Sequence, residues 1–442
     1  MRKMKNSGIQ WLGEYPSDWN LIKIKYVLKE RVEKNNPVRT SDILSLTAKQ
    51  GVIPYEEKEG GGNKPKEDVS AYRLAYPGDI VMNSMNILSG SVGLSKFFGC
   101  VSPVYYMLRP QNKNEDVRYY NYIFQTEVFQ KSLFGLGNGI LIKESGNGKL
   151  NTIRMRIPMD KFGELYIPVA PIATQHSISA YLDSKCSEID ALTADIQSQI
   201  ETLEQYKRSV ITEAVTRGLD KNVEMKESGV EYIGSVSKFH QVCRVKDVLT
   251  KITDGAHITP DTSCYDEPFV SVTDMNEFGI IDSDNCLRIT EEQYKYFLRT
   301  GCKPQKGDVL ISKDGTIGKT TVMVSDPDYV VASSIVIMRP NQKLVLPKFL
   351  EYSLNCTYVQ QQLEALLAGS ALRRVSVVKN SNLKIVVTNI AEQMSIVSFL
   401  DRKCSGINSA ILEKKQQLDI LDAYKKSTIY EYVTGKKEVP AV

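Results

Sequence analysis

Histidine and tryptophan are scarce in this chain, at three and two residues out of 442. Eight cysteines are present, but none form a CxxC pair and none stand at zinc-ligand spacing from the histidines. No histidine, cysteine and aspartate cluster suggests a metal centre or a nucleophilic triad. No run approaches the roughly 18 apolar residues of a membrane span. The opening MRKMKNSGIQ is charged and lacks an apolar core, so no secretory leader is expected. Charge of one sign is also missing. Lysine plus arginine number 56 against 52 acidic residues, for a net +4, which permits a nucleic-acid partner without demanding one. Cys186 and Cys404 lie inside helical segments at matching places, which reads as small core residues in a reduced cytoplasm.

What the chain does have is a second copy of itself. Lys5–Leu28 aligns without a gap to Lys226–Leu249, with exchanges such as Ile9 for Val230 and Trp11 for Tyr232. Ile172–Thr216 aligns to Ile390–Thr434, also without a gap, and 20 of the 45 positions are identical. A repeat this long means duplicated domains rather than a solenoid. Between the matched pieces the sequence diverges, so the order is variable, constant, variable, constant.

The first constant piece, from about Thr174 to Arg217, reads as one long helix without internal Pro or Gly. Leu182, Ile189, Ile196, Leu203 and Val210 recur every seven residues, and Ile178, Leu192 and Tyr206 supply part of a second seam. Sustained heptads mean a coiled coil. The second copy, from about Glu392 to Thr434, carries Leu400, Ile407 and Leu421 on the matching seam, interrupted by Lys414 and Thr428. A helix of this length spans about 65 Å, beyond the needs of one globular domain. An apolar stripe of that length needs a partner. Antiparallel pairing with its own duplicate is one solution, and packing of each helix on its own domain is the other.

The variable stretches, roughly Asn20–Leu165 and Gln241–Leu383, read as mixed α/β domains. Short β-rich runs at 78–82, 308–312 and 330–338 are followed by helical stretches Tyr119–Leu133 and Lys348–Leu367. Echoes of the duplication persist here: Pro77-Gly78-Asp79-Ile80 matches Lys306-Gly307-Asp308-Val309, and Met107–Pro110 matches Ile337–Pro340. The fold class is α+β, with two mixed domains separated by a long antiparallel two-helix coiled coil and a pseudo-two-fold internal repeat. Enzyme motifs fail on inspection. Lys313–Thr320 ends like a phosphate-binding loop, but Lys313 occupies the place of the first glycine, so a strand–turn–strand is expected. Ser325-Asp326-Pro327-Asp328-Tyr329 departs from the methyltransferase Asp-Pro-Pro-Tyr pattern at its third position, and Phe134–Gly139 is an isolated Gly-rich stretch.

Taken together, the chain resembles the specificity subunit of a type I restriction–modification system over nearly its whole length. The motifs are Ser7-Gly8 to Trp11-Leu12-Gly13 with Pro16 and Trp19, and Ile390-Ala391-Glu392-Gln393 with Ile396, Leu400 and Val433–Lys436. Thr253–Pro260 with Lys306–Ser312 and Asp314–Lys319 resembles one class of recognition domain. Leu46-Thr47, Gly51-Val52, Tyr76–Val81 and Val101–Tyr105 resemble another. The second opening segment departs from the pattern, with Ser237 and His240 at the Pro16 and Trp19 positions. The resemblance implies target-recognition domains at 1–165 and 221–383 and conserved helical regions at 166–220 and 384–442. It implies a non-catalytic DNA-recognition subunit whose domains each read half of a split target, whose helices set the spacer and bind two methylation subunits. S-adenosylmethionine, ATP and Mg would belong to those methylation subunits and to restriction subunits, with no cofactor in this chain.

Candidate DNA contacts are polar or basic loop residues. In the first domain these are Lys49, Gln50, Lys58, Lys64 and Lys66, beside the Gly60-Gly61-Gly62 run. In the second they are His257, Thr259, Lys313, Asp314, Thr316, Lys319, Arg373 and Arg374. For each lysine the plainer reading is a solvated surface charge, and His257 is equally a turn residue beside Pro260. Two other classes stand against DNA recognition. One is an assembly scaffold with degenerate readers. The other is a nuclease, disfavoured by the missing acidic metal cluster.

Overall fold

The computed structural model describes residues 2–47, 50–58, 64–137, 156–260, 266–368 and 373–440, and the backbone of 143–144 and 150–151. It divides into two units. Unit one comprises Met1–Ile196 and Gln416–Val442, and unit two Gln197–Lys415. Each unit therefore takes one variable stretch and a half of each long helix.

Unit one opens on a hairpin, Met4–Asn6 against Glu14–Pro16. Its connection needs left-handed backbone at Gly8 (φ 70°) and Gly13 (φ 64°), which only glycine adopts without strain. Asn20–Lys23 then pairs antiparallel with Tyr166–Val169, the strand that leads into the first long helix. The central sheet holds β1 (Leu28–Glu30), β2 (Ile80–Asn83), β3 (Val92–Leu94) and β4 (Tyr105–Pro110), in the order β1-β4-β2-β3, all antiparallel. Every residue of β2 is buried, so its apolar run is continuous rather than alternating. Helices α1 (Val117–Gln125) and α2 (Glu127–Ser132) follow, then α3 (Ile172–Arg217).

Unit two repeats this plan. Its hairpin is Met225–Glu227 against Ser235–Ser237, with Gly229 and Gly234 again left-handed. Gln241–Arg244 pairs with Lys384–Val387 ahead of the second long helix. Strands β5 (Leu249–Asp254), β6 (Val309–Ser312), β7 (Thr320–Val322) and β8 (Ile335–Pro340) lie in the order β5-β8-β6-β7, all antiparallel. Helices α4 (Pro347–Leu354), α5 (Thr357–Leu367) and α6 (Ile390–Val433) complete it. The shared Gly-Asp turns have one role. Gly78 and Gly307 are left-handed, and the buried carboxylates of Asp79 and Asp308 accept the backbone N–H of Tyr76 (3.0 Å) and Gln305 (2.8 Å). Each also receives a two-pronged guanidinium, Arg31 on Asp79 and Arg339 on Asp308.

The units differ in what is added to the shared sheet. Unit one adds a hairpin of Leu44–Thr47 with Gly51–Pro54 and a strand pair, Arg73–Ala75 with Gly99–Val101. Unit two adds a three-stranded sheet of Leu287–Ile289, Glu267–Val270 and Val330–Val331, and a helix, Glu291–Arg299.

Three expectations are corrected. The stretches Tyr119–Leu133 and Lys348–Leu367 are each two helices. The backbone turns extended at Thr126 (ψ 130°) and at Cys356 (ψ 147°), so the second helix starts in a new direction. The run at 330–338 is two strands separated by a turn. Leu192 and Tyr206 are exposed and form no second seam. Two paired helices cover only a narrow stripe of one another, and these positions fall outside it.

The two readings of the long helices both hold. Within unit one, Tyr181 stacks on Tyr432 with centroids 4.5 Å apart, and Lys425 meets Asp190 at 2.6 Å. Within unit two, Lys207 meets Asn408 at 2.7 Å, and Lys414 meets Gln199. One number rises as the other falls, so the halves run antiparallel in each unit. Lys414, which breaks the apolar seam, is accommodated by that amide. Leu182, Ile189, Leu400 and Ile407 are buried, while Ile196, Leu203 and Leu421 are half-buried. The helix halves also join the domain cores. Leu182, Ile178 and Val433 pack with Tyr119, Phe124 and Trp19 in unit one, and Ile211, Val215 and Leu400 pack with Phe349 and Tyr358 in unit two. Among the described residues no helix is long and apolar enough to cross a membrane.

Candidate nucleic-acid interface

In unit two the candidate residues gather around one turn. The loop between β6 and β7 closes through Ser312, which is fully buried. Its hydroxyl donates to the Thr316 carbonyl at 2.6 Å and accepts the Lys319 N–H at 2.9 Å. Gly315 and Gly318 supply the left-handed backbone such a tight turn requires. A strand follows it, as expected, where a phosphate-binding loop would lead into a helix.

Charges brace this turn. Asp314 receives both prongs of Arg374, at 2.6 and 2.7 Å, and the Val375 N–H donates to the Lys313 carbonyl at 3.0 Å. The Lys313 side chain is buried on the Asp254 carboxylate, which also contacts His257 Nε2 at 2.9 Å. Burial would raise the Asp254 carboxyl, but the hydrogen bonds from Lys313 and His257 outweigh it, and the group sits below its ordinary range. Lys319 turns its ammonium onto the Met275 carbonyl. The structure therefore brings His257, Lys313, Asp314, Thr316, Lys319 and Arg374 together, with Arg373 adjacent. Within that group Asp314 and Arg374 answer one another's charges, Lys313 is answered by Asp254, and together they shape the loop. His257, Thr316 and Arg373 keep exposed side chains. Thr259 is also exposed, its carbonyl accepting Gln293 Nε2 at 3.4 Å.

In unit one the candidates are more scattered. Gln50 sits at the turn of the added hairpin, its N–H held by the Thr47 hydroxyl at 3.0 Å. That hairpin lies hard on the sheet: a side-chain carbon on Gly93 would come within 3.0 Å of the Gly51 backbone. Lys58 lies over the Tyr55 ring at 5.8 Å. Lys64 and Lys66 are exposed, and the Lys66 N–H donates to the Tyr72 hydroxyl at 3.1 Å. Lys49 and Gly60-Gly61-Gly62 lie outside the described residues.

Sequence reading passed over Asp254, the hub of the unit-two cluster. Its signals were its place in the Thr253–Pro260 motif and an acid inside a β-strand, where Asp is disfavoured unless it has partners. It also missed a cleft in unit two, bordered by Lys207 and Arg208 of α3 and by Lys319 of the loop. The described cysteines are all free, and no group of three metal-ligating side chains occurs among the described residues.

A family model described as the type I restriction modification DNA specificity domain matches residues 238–429. The MjaVIII specificity subunit of a type I restriction enzyme from Methanocaldococcus jannaschii is 23% identical over 437 residues, covering 96% of this chain and 94% of its own. The EcoBI specificity subunit of Escherichia coli is 23% identical over 245 residues, covering 52% of this chain and 50% of its own. A solved chain described under complex assembly and conformational transition of the type I R-M system shares the fold. Its TM-score is 0.63, covering 96% of this chain and 99% of that one at 14% identity. Residues 238–429 are thus similar to a type I DNA specificity domain, and the solved chain shares the fold of the whole. Over nearly its whole length the chain is similar to specificity subunits of type I restriction–modification systems.

Proposed function

We propose that each variable domain reads one half of a bipartite duplex target for a type I restriction–modification complex. The observation that carries this is the contrast between the units. They repeat the hairpin, the central sheet order and the helix ends, and they differ in the elements added to that sheet. A shared scaffold with different additions suits two readers of different sequences.

In this reading Lys49, Gln50, Lys58, Lys64 and Lys66 face DNA from the first domain. His257, Thr259, Thr316 and Arg373 do so from the second, where Lys313, Asp314, Lys319 and Arg374 hold the 313–319 turn in shape. Lysines and arginines position the duplex through its phosphates, and polar side chains read base edges. The paired helices set the number of base pairs between the halves and receive two methylation subunits. Those subunits would carry S-adenosylmethionine, and restriction subunits would use ATP and Mg. This chain would make and break no bonds itself, and would work in the cytoplasm.

The test is to express the chain with its methylation subunits in a host lacking type I modification and sequence the methylated bases. A split motif with a fixed gap is expected. Methylation without sequence preference, or at one continuous motif, overturns the reading.

A further inference from the structure

Unit two contains a cleft of about 360 Å³ between its helix pair and the 313–319 loop. Its walls carry Lys207 and Arg208 of α3, Asn408 of α6, Lys319 of the loop, and Lys348 with Glu351 of α4. Three acids face these cations: Glu204, Glu277 and Glu351. Two are already engaged, Glu277 by Lys415 at 2.7 Å and Glu351 by Lys348 at 2.5 Å.

The repeat shows what is unusual here. In unit one Lys425 donates to the carboxylate of Asp190 at 2.6 Å. Lys207 occupies the matching helix position in unit two, but its acceptor at 2.7 Å is the neutral amide of Asn408. Among the described residues no carboxylate lies at ion-pair distance from the Lys207 ammonium. Glu351 and Glu204 act on it only at longer range, opposed by Lys348, and the Phe278 ring lies 5.9 Å away. Burial lowers the Lys207 pKa from the ordinary lysine value. A cation taken partly out of water with no carboxylate at bonding distance is costly, and a bound anion relieves that cost. Arg208 is exposed beside it, and Lys319 comes from the candidate DNA-facing turn.

We propose that this cleft seats a backbone phosphodiester of the target DNA, with Lys207 as its ligand from the helix pair. This rests on the DNA-recognition reading and deepens it, since the helices then hold DNA as well as space its readers. A phosphate contact carries no sequence information but fixes the register of a protein on the duplex. Lys207 is thus a positioning residue for the second half-site.

The test uses the full chain assembled with its methylation subunits and a duplex carrying the methylated motif. Affinity is measured between roughly 50 and 200 mM salt. Asn408→Asp places beside Lys207 the acceptor that the repeat already tolerates at Asp190, so folding should survive. It should reduce the slope of log affinity against log salt by about 0.9, the value of one lost phosphate contact. Lys207→Gln should do the same, Lys207→Arg should keep the original slope, and the methylated motif should not change. Unaltered slopes in both Asn408→Asp and Lys207→Gln overturn the proposal. So does inorganic phosphate raising the melting temperature of the DNA-free complex through Lys207 while those slopes stay unaltered, which marks a site for a free oxyanion. A wild-type complex that lacks motif-specific binding overturns the underlying DNA reading instead.

Discussion

Tyr352 donates its hydroxyl to Asp401 at 2.6 Å, joining α4 of the second domain to α6. The same contact occurs in the first unit, where Tyr122 donates to Asp183 at 2.7 Å. Each domain is thus fastened to a long helix by the same pair, with a buried thiol beside it, Cys404 in one unit and Cys186 in the other.

Tyr352→Phe should therefore destabilise the protein modestly. Asp401 is exposed, so water can replace the lost donor, and the expected cost is about 1 kcal/mol. A lowered thermal midpoint with unchanged sequence specificity checks this.

A larger effect is expected at the Gly-Asp turns. Asp308 is 1% exposed and holds both Arg339 and the Gln305 N–H. Asp308→Ala leaves a guanidinium and a backbone donor without their acceptor. Because Arg339 is partly solvated, the cost should be about 3 kcal/mol, at the low end of the range for a broken buried pair. Denaturant unfolding of the variant against the parent measures it.

Glu351 gives a pH signature. It is mostly buried, burial raises its carboxyl above the ordinary value, and Lys348 offsets only part of that. A raised acid binds its proton more tightly in the folded state. The wild type therefore loses stability relative to an amide as pH rises from about 4.5, the unfolded value, towards neutrality. The first unit has Asn121 at the matching position. Glu351→Gln should melt higher than wild type at pH 7, with the gap closing below about pH 4.5. A gap that is constant with pH would show that Glu351 does not titrate as described.

The helices separate seam from surface. Leu400 is fully buried, so Leu400→Ala should cost about 2–5 kcal/mol. Leu192 is 46% exposed, and Leu192→Ala should stay within about 0.5 kcal/mol. Paired thermal melts distinguish them.

The long helices, the duplicated scaffold and the strand–turn–strand at 313–319 were legible in sequence because each leaves a local pattern: a heptad, a repeat, a glycine-marked turn. The breaks at Thr126 and Cys356 were not, since neither position carries Pro or Gly and both are set by packing. Arg31 on Asp79 was equally hidden. The matched dipeptides Arg109-Pro110 and Arg339-Pro340 suggest equivalent arginines, yet only Arg339 reaches the turn carboxylate, and Arg109 leaves its Nε without a partner. The site was legible as a set of loop residues. It was not legible as a division between Lys313, which is buried on Asp254, and Arg373, which is exposed, because burial of a lysine depends on an acid far away in sequence.

The most direct test of the account is an exchange of the second reader. Gln241–Leu383 is replaced by the corresponding stretch of another specificity subunit, and methylated bases are sequenced in cells that also carry the methylation subunits. Independent reading predicts that one half of the split motif changes while the other half and the gap remain. A change in both halves would contradict it.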